Sequence, residues 1–431
     1  MAIIENIIGR EILDSRGNPT IEVDVVLKDG AIGTSAAPSG ASTGEFEAHE
    51  LRDNNPLDFH GKGVSQAVAL IKNIIGKELI GLESTKQEDI DQTLIDIDGT
   101  PNKSKLGANT MLAVSLATSQ ATAISKKTPL YKHLGNNAEK YTIPVPLLNI
   151  INGGRHASDS TDIQEFMIIP ANFHSFYESI KAGSEVYHHL NDLLKSKGLN
   201  TNVGDEGGFA PKLQSNESAL ELIINAIEKA GYKPGLDFFI GLDVAASEIY
   251  NNKTGDYNLN IEKTTVSTDE LIIKYSDWVK QYPIISIEDG LNENDWNGWV
   301  TLTKKLGDKC QLVGDDLFTT NTSRIKKGLK EKAANSVLIK PNQIGTLTET
   351  LDAIEYAKNG SWGTIISHRS GETEHTFISD LAVGTNAGQI KSGAPARGER
   401  TAKYNQILRI EQQLGSKSYF GGLNIYEKYY R

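Results

Sequence analysis

The sequence predicts an α/β protein, an N-terminal α+β domain followed by a TIM-like β/α barrel with an irregular first turn. Three observations predict it. The chain has 431 residues, more than one core holds, since single cores stop growing beyond roughly 250–300 residues. After Thr142, eight short and continuous apolar runs alternate with helical stretches, the pattern of buried parallel strands with helical connections. Six of those runs end in an ionisable group, at the end of a barrel strand where barrel active sites lie.

In the first domain, residues 1–137, Ile21, Val23 and Val25 alternate with Glu22 and Asp24, the period of a half-buried strand. Asp29-Gly30 is a hairpin turn signal. Residues 38–44, Pro-Ser-Gly-Ala-Ser-Thr-Gly, form a small-residue loop able to lie close to an anion or move as a lid. Helical patterns follow at 63–75 and 86–97. Residues 106–125 carry no charge and could span a bilayer by length. Asn109, Thr110, Ser115, Thr118, Ser119, Gln120 and Thr122 make them too polar for that, and predict a buried helix with closely packed faces. Gly135-Asn136-Asn137 marks the expected boundary.

In the second domain, residues 138–431, the runs fall at 145–151, 166–169, 238–244, 284–287, 311–313, 336–339, 364–366 and 387–390. Helices are expected at 218–230, 268–282, 296–306, 347–358 and 401–414. Only a short loop joins the first two runs, which is the irregularity of the first turn.

Composition excludes several classes. The 44 Lys+Arg against 55 Asp+Glu give a net charge of −11 with no block of like charges, which argues against a nucleic-acid partner. A single cysteine, Cys310, allows no internal disulfide and fits a reducing, cytoplasmic compartment. Glu5, Arg10 and Glu11 interrupt any apolar leader. There is neither a P-loop lysine motif nor a G-x-G-x-x-G, which disfavours nucleoside phosphates and dinucleotides. His49-Glu50 lacks the second histidine of a zinc-protease helix, and His188-His189 is read as solvated.

The strand ends carry the chemistry. The runs finish in Asp243, Glu288, Asp315, Lys340, His368-Arg369-Ser370 and Lys391, the last five spaced by 23 to 28 residues, one strand-plus-helix unit each. Any one acid here could be a helix N-cap, but independent caps would not sort into acids on three strands and bases on the next three. Three carboxylates without His or Cys make an oxygen-only site for a hard cation such as Mg²⁺. Lys340, close to that cation and to Lys391, is expected to have a lowered pKa and to act as a base. Arg369 and Ser370 suit a phosphate. Asp205-Glu206 in a glycine-rich loop and Gln164-Glu165 before the second run offer paired carboxylates, one kept protonated as a general acid.

These residues closely resemble the enolase family over essentially the whole length. Matching stretches include Ile12-Leu13-Asp14-Ser15-Arg16-Gly17-Asn18-Pro19-Thr20, 39–44, 149–156, 164–167, 204–208, 241–244, 286–289, 314–317, 342–345 and 388–397. Ser367-His368-Arg369-Ser370-Gly371-Glu372-Thr373 is highly specific alone. The resemblance implies reversible dehydration of 2-phospho-D-glycerate to phosphoenolpyruvate, a carbon-oxygen lyase step of glycolysis and gluconeogenesis. It implies two Mg²⁺ per active site stabilising an enediolate, and enolase-superfamily sites with a Lys base and one or two Mg²⁺ are a known pattern. Position by position, it implies Asp243, Glu288 and Asp315 as ligands of one magnesium and Ser42 as the loop residue reaching the second. Lys340 is then the base at C2, and Glu206, supported by Glu165, the acid at the C3 hydroxyl. His156, Gln164, His368, Arg369, Ser370 and Lys391 are substrate contacts. The chain departs from the family at Pro341 after the base, at Gly290 and at Ser158-Asp159-Ser160; Pro341 bears on the placement of Lys340. A homodimer, or an octamer of dimers, is implied. The competing readings are another dehydratase of the wider superfamily, and a binding role at the cell surface, or after secretion without a signal peptide, in addition to catalysis.

Overall fold

The computed structural model describes residues 2–135, 138–157 and 160–429. Asn136 and Asn137 at the expected boundary, and Ser158 and Asp159 among the departures, lie outside the described residues.

The chain opens with an antiparallel meander of β1 (Ile4–Leu13), β2 (Pro19–Leu27) and β3 (Ile32–Ala36). Ile21, Val23 and Val25 are buried, whereas Glu22 and Asp24 lie on the other face, where both pair with Arg10. Helices α1 (Gln87–Asp98) and α2 (Ala108–Ser125) cover the inner face. The uncharged α2 has an apolar neighbour on each side. Met111, Val114 and Ala117 join the core of the sheet, while Leu112 and Leu116 join that of the barrel. A Cβ at Gly33 would collide with the α2 backbone at Ala117 and Ala121, so the missing side chain permits the approach. Among the described residues no helix is long and apolar enough to cross a membrane.

The barrel closes from β4 (Val145–Asn152), β5 (Glu165–Pro170), β6 (Phe238–Asp243), β7 (Ile284–Glu288), β8 (Gln311–Gly314), β9 (Ser336–Ile339), β10 (Gly363–Ser367) and β11 (Gly388–Lys391). The expectation of parallel strands fails at one of them: β5 runs antiparallel to both β4 and β6. Among its described residues the link from β4 to β5 holds one 3₁₀ turn, Gly154–His156, and no crossover helix, and a parallel return ordinarily needs that helix. Two helices, Phe176–Ser196 and Asn216–Lys229, then precede β6, and the remaining neighbours pair in parallel. This reversal brings the first residue of β5, rather than its last, to the catalytic end.

Candidate active site

Asp243, Glu288 and Lys391 end their strands, while Asp315, Lys340 and His368 are the first residues past theirs. Glu165 opens the reversed β5 in register with Asp243, and so reaches the same mouth. The helix-cap alternative fails here, because the helices Thr268–Gln281, Trp296–Leu306 and Thr322–Glu331 are capped by Ser267, Asp295 and Asn321. Pro341 occupies the first position of a short helix, Pro341–Ile344, with Lys340 extended before it. That is where proline fits best, and β9 is intact.

Every predicted site residue lines one cavity except Glu288, which is 1% exposed behind its wall. Ser42 enters from the first domain, His156 from the turn after β4, Gln164 from the link before β5, and Glu206 from the glycine-rich loop. His188 and His189 are exposed on Phe176–Ser196, away from the site.

Two ionic groups face one another. On one side the Lys391 ammonium lies 2.9 Å from Asp243 Oδ2, 2.7 Å from Glu288 Oε1 and 3.3 Å from Glu165 Oε1. Burial and the neighbouring Asp243 carboxylate push Glu288 well above the usual carboxylate range. Burial also pushes Asp243 up, but Lys391 reverses it and leaves it lowered. Lys340 pairs with Asp315 Oδ2, whose Oδ1 accepts from Gln343 Nε2 at 2.8 Å. Burial lowers the Lys340 pKa, but the Asp315 and Glu288 carboxylates together outweigh it and hold the pKa raised; the expected lowering belongs to a lysine beside a bound cation.

On the other side, His156 lies between Glu165 (3.8 Å) and Glu206 (3.9 Å), and His368 Nε2 is 3.2 Å from Glu206 Oε2. Burial and the Glu206 charge push Glu165 well up. Burial also raises Glu206, but His368 and His156 bring it well below the usual range. Of the two carboxyls Glu165 is the one raised and Glu206 the one lowered, the opposite order to that expected of Glu206 as the acid.

The rim is closed by the first domain. Arg369 Nη1 donates to Glu47 Oε2 (2.9 Å) and Asn342 Oδ1 (3.2 Å), and Nη2 to Ser42 O (3.0 Å) and Glu47 Oε1 (3.1 Å). Ser370 Oγ accepts from the Ala41 N–H at 2.6 Å. A Cβ at Gly40 would overlap the Arg369 guanidinium, so only glycine lets the loop seal this tightly. The cavity beneath has about 20 Å³ free, room for about one water.

Comparison with known families matches residues 4–134 to "Enolase, N-terminal domain" and residues 140–429 to "Enolase, C-terminal TIM barrel domain". The chain belongs to the enolase family. It is an enolase-type lyase with a small-molecule substrate and a metal cofactor, as that family implies.

The donor set fits such a metal. Asp243 and Glu288 are register neighbours on parallel strands, and Asp315 follows the next strand, so the three strand ends offer the oxygen-only donors that a hard cation takes. Burial, and after it repulsion from Asp243 and Asp315, raises Glu288, and lysines now supply the balancing charge. Among the described residues, the groups with ligand atoms within 4.8 Å of one another are Asp289, Asp315 and Asp316, and His156, Glu165 and Glu206; Asp243, Glu288 and Asp315 do not form such a group as they stand.

Sequence reasoning missed several residues of this enolase site. Asp289 accepts backbone N–H bonds from Asp315 (2.8 Å) and Asp316 (2.9 Å), and its place at the end of the matching stretch 286–289 was a usable signal. Gln343 sits in the matching stretch 342–345, and Glu47 lies three residues past the small-residue loop. Arg400, fully buried, donates to His368 Nδ1, Arg369 O and Ser370 O, each at 2.6 Å, and to Asp205 O at 3.0 Å. It lies in the first turn of Gly398–Leu414, and no local pattern marked it.

Proposed function

We propose that this chain catalyses the reversible dehydration of 2-phospho-D-glycerate to phosphoenolpyruvate. The observation that carries the reading is that one cavity is lined both by Lys340 beside Asp315 and by the Glu165–His156–Glu206–His368 group, together with Arg369 and Ser370. A base on one face, an acid on the other and an anion receptor beside them are what a β-elimination from a phosphorylated hydroxy acid needs.

Magnesium bound by Asp243, Glu288 and Asp315, with Ser42 serving a second ion, would supply the charge that offsets a second negative charge on the substrate carboxylate. With Asp315 engaged in that way, burial is left to dominate at Lys340 and lowers its pKa, as a base requires. Lys340 Nζ then takes the C2 proton. Glu206 protonates the C3 hydroxyl, which leaves as water, and Glu165, through the intervening His156, is the nearest reservoir for that proton. Lys391 remains a fixed cation beside the carboxylate, and Gln164, His156 and His368 orient the substrate. Arg369 and Ser370 take the phosphate once loop 38–47 gives them up.

On this reading residues 1–137 act as the lid-bearing module of a barrel spanning 138–431. The protein works in glycolysis in the cytoplasm, as a homodimer or an octamer of dimers that sedimentation distinguishes. The test is formation of the enol product from 2-phosphoglycerate by pure protein in excess magnesium, reversibly abolished by a chelator. Absence of turnover under those conditions would overturn the proposal.

A further inference from the structure

The loop that carries Ser42 has no secondary structure between Gly40 and Glu47, so its position over the mouth depends on what anchors its ends. Two anchors, Arg369 to Glu47 and Ser42 O, and Ser370 to Ala41, lie inside the mouth. All four Nη hydrogens of Arg369 are already committed, to Glu47, Asn342 and Ser42, so a phosphate must displace at least one of these contacts. The inner anchors are thus exchanged whenever an anion enters.

Other anchors do not involve Arg369 or Ser370: Arg16 Nη2 donates to Gly40 O at 3.1 Å, Thr319 Oγ1 to Phe46 O at 3.4 Å and Ala48 N–H to Gln343 O at 2.8 Å, and the Phe46 side chain adds a further one. The ring centroid of Phe46, a residue 41% exposed, is 3.7 Å from the Arg324 guanidinium carbon. Arg324 comes from Thr322–Glu331, and its edge is occupied by the barrel: Nε donates to Leu317 O at 2.7 Å and Nη2 to Glu293 O at 3.2 Å. Its carbon also lies 5.4 Å from the Trp296 ring. The guanidinium is held by its edge and offers its face to the loop, the favourable arrangement for a cation–π contact. The flanking residue is fixed as well, since Glu45 N–H donates to Glu293 Oε2 at 3.0 Å and Asn294 Nδ2 donates to Glu45 Oε2 at 3.1 Å.

We propose that Phe46 and Arg324 are positioning residues, the pivot that sets where the 38–44 segment and Ser42 come to rest while the inner contacts are exchanged. The inference rests on the proposed role of Ser42 in binding metal and substrate. Neither residue lines the cavity, so neither is a catalytic residue.

The test compares Phe46→Ala, Phe46→Tyr and Arg324→Met with the unaltered protein. Phe46→Ala should raise both the KM for 2-phosphoglycerate and the half-saturating magnesium concentration about fivefold, the effect of about 1 kcal/mol of lost cation–π contact. The kcat at saturation should change less than about twofold, since the released loop still reaches the site once ligands are in excess. Arg324→Met should do the same, and Phe46→Tyr should restore both constants. Independently of activity, a glutamyl endopeptidase should cut after Glu45 or Glu47 about fivefold faster in Phe46→Ala, by mass analysis of fragments, because cleavage follows the opened population. Unchanged constants and unchanged cleavage in both pivot variants, even with a lowered unfolding midpoint, would overturn the proposal and leave a merely structural contact. If the unaltered protein fails to turn over 2-phosphoglycerate, the proposed reaction falls while the cleavage comparison still decides the pivot.

Discussion

Replacing Arg400 by methionine removes a cation that does not line the site cavity yet holds much of the site together. Its guanidinium serves four acceptors: His368 Nδ1, Arg369 O, Ser370 O and Asp205 O. Because a guanidinium can only donate, His368 Nδ1 must accept, so its ring proton sits on Nε2, 3.2 Å from Glu206 Oε2. Methionine keeps the apolar stem and leaves His368 Nδ1, Arg369 O and the part-buried Asp205 O without this donor, and Ser370 O with only Ser15 Oγ at 3.4 Å; each buried acceptor left unpaired costs roughly 1–3 kcal/mol. Water entering the vacated space recovers part of the sum, and about 3–5 kcal/mol of lost stability is expected, the range for breaking a buried ionic network. His368 is then free to move its proton to Nδ1, which turns an Nε2 lone pair toward the Glu206 carboxylate. Glu206, raised by burial and held down by His368, His156 and Arg400, should titrate at higher pH, and the alkaline limb of the pH–rate profile, where the proton-donating form is lost, should move up with it. Urea unfolding followed by tryptophan fluorescence, together with that profile, measures both effects. Loss of less than about 1 kcal/mol with an unmoved alkaline limb would refute the assignment of Arg400 as the clamp on His368. Lysine, with one ammonium for four acceptors, should fall between the two.

Lys340→Ala should abolish exchange of the substrate C2 proton with solvent, whereas Glu206→Gln should spare that exchange and stop net dehydration; loss of both activities in each variant, by proton NMR in deuterated buffer, would merge the two roles. Gly40→Ala places a Cβ on the Arg369 guanidinium and should raise KM while leaving the circular dichroism spectrum unchanged; an unaltered KM would mean that the loop does not seal there. Burial holds His375 at about 4, below the ordinary histidine value of about 6.5. The unfolded chain therefore binds more protons between those pH values, so stability rises with pH across that window, by up to about 3 kcal/mol for this group. His375→Gln, which keeps a donor for the Thr34 carbonyl 2.8 Å away, should flatten the dependence of the urea midpoint between pH 4 and 7, and an unchanged slope would remove His375 as its source.

Much of the fold was legible because barrel strands buried on both faces are continuous apolar runs, and all eight runs are strands close to the expected limits. The direction of β5 was not legible, because period and hydrophobicity are the same for a strand read either way. The strand-end residues could be placed because their spacing reports the βα repeat, and twelve of the thirteen predicted residues line one cavity. What sequence could not supply was pairing. Nothing local tells Lys340 that Asp315 will hold its ammonium, or Arg369 that Glu47 will fill its fork. Arg400 acts on His368 from another element, and its burial is a property of the assembled fold.

Pairing also revises the charge argument. The sequence pointed to an acidic chain with a cationic mouth built from Lys340, Arg369, Lys391 and metal. Within the cavity wall, however, Glu165, Glu206, Asp243, Asp289, Asp315 and Asp316 outnumber Lys340, Arg369 and Lys391. Each of those three cations is already paired with a carboxylate. Burial and neighbouring aspartates keep Asp289 and Asp316 well above the usual carboxylate range, which lightens the negative charge without reversing it. A polyanion entering this mouth as it stands would meet cations whose attraction is spent and carboxylates that repel it. The protein side chains alone therefore cannot be the receptor for such a substrate. The receptor requires added positive charge at the Asp243–Glu288–Asp315 corner, and occupancy of that corner should release Lys340 and Lys391 from the partners that now hold them.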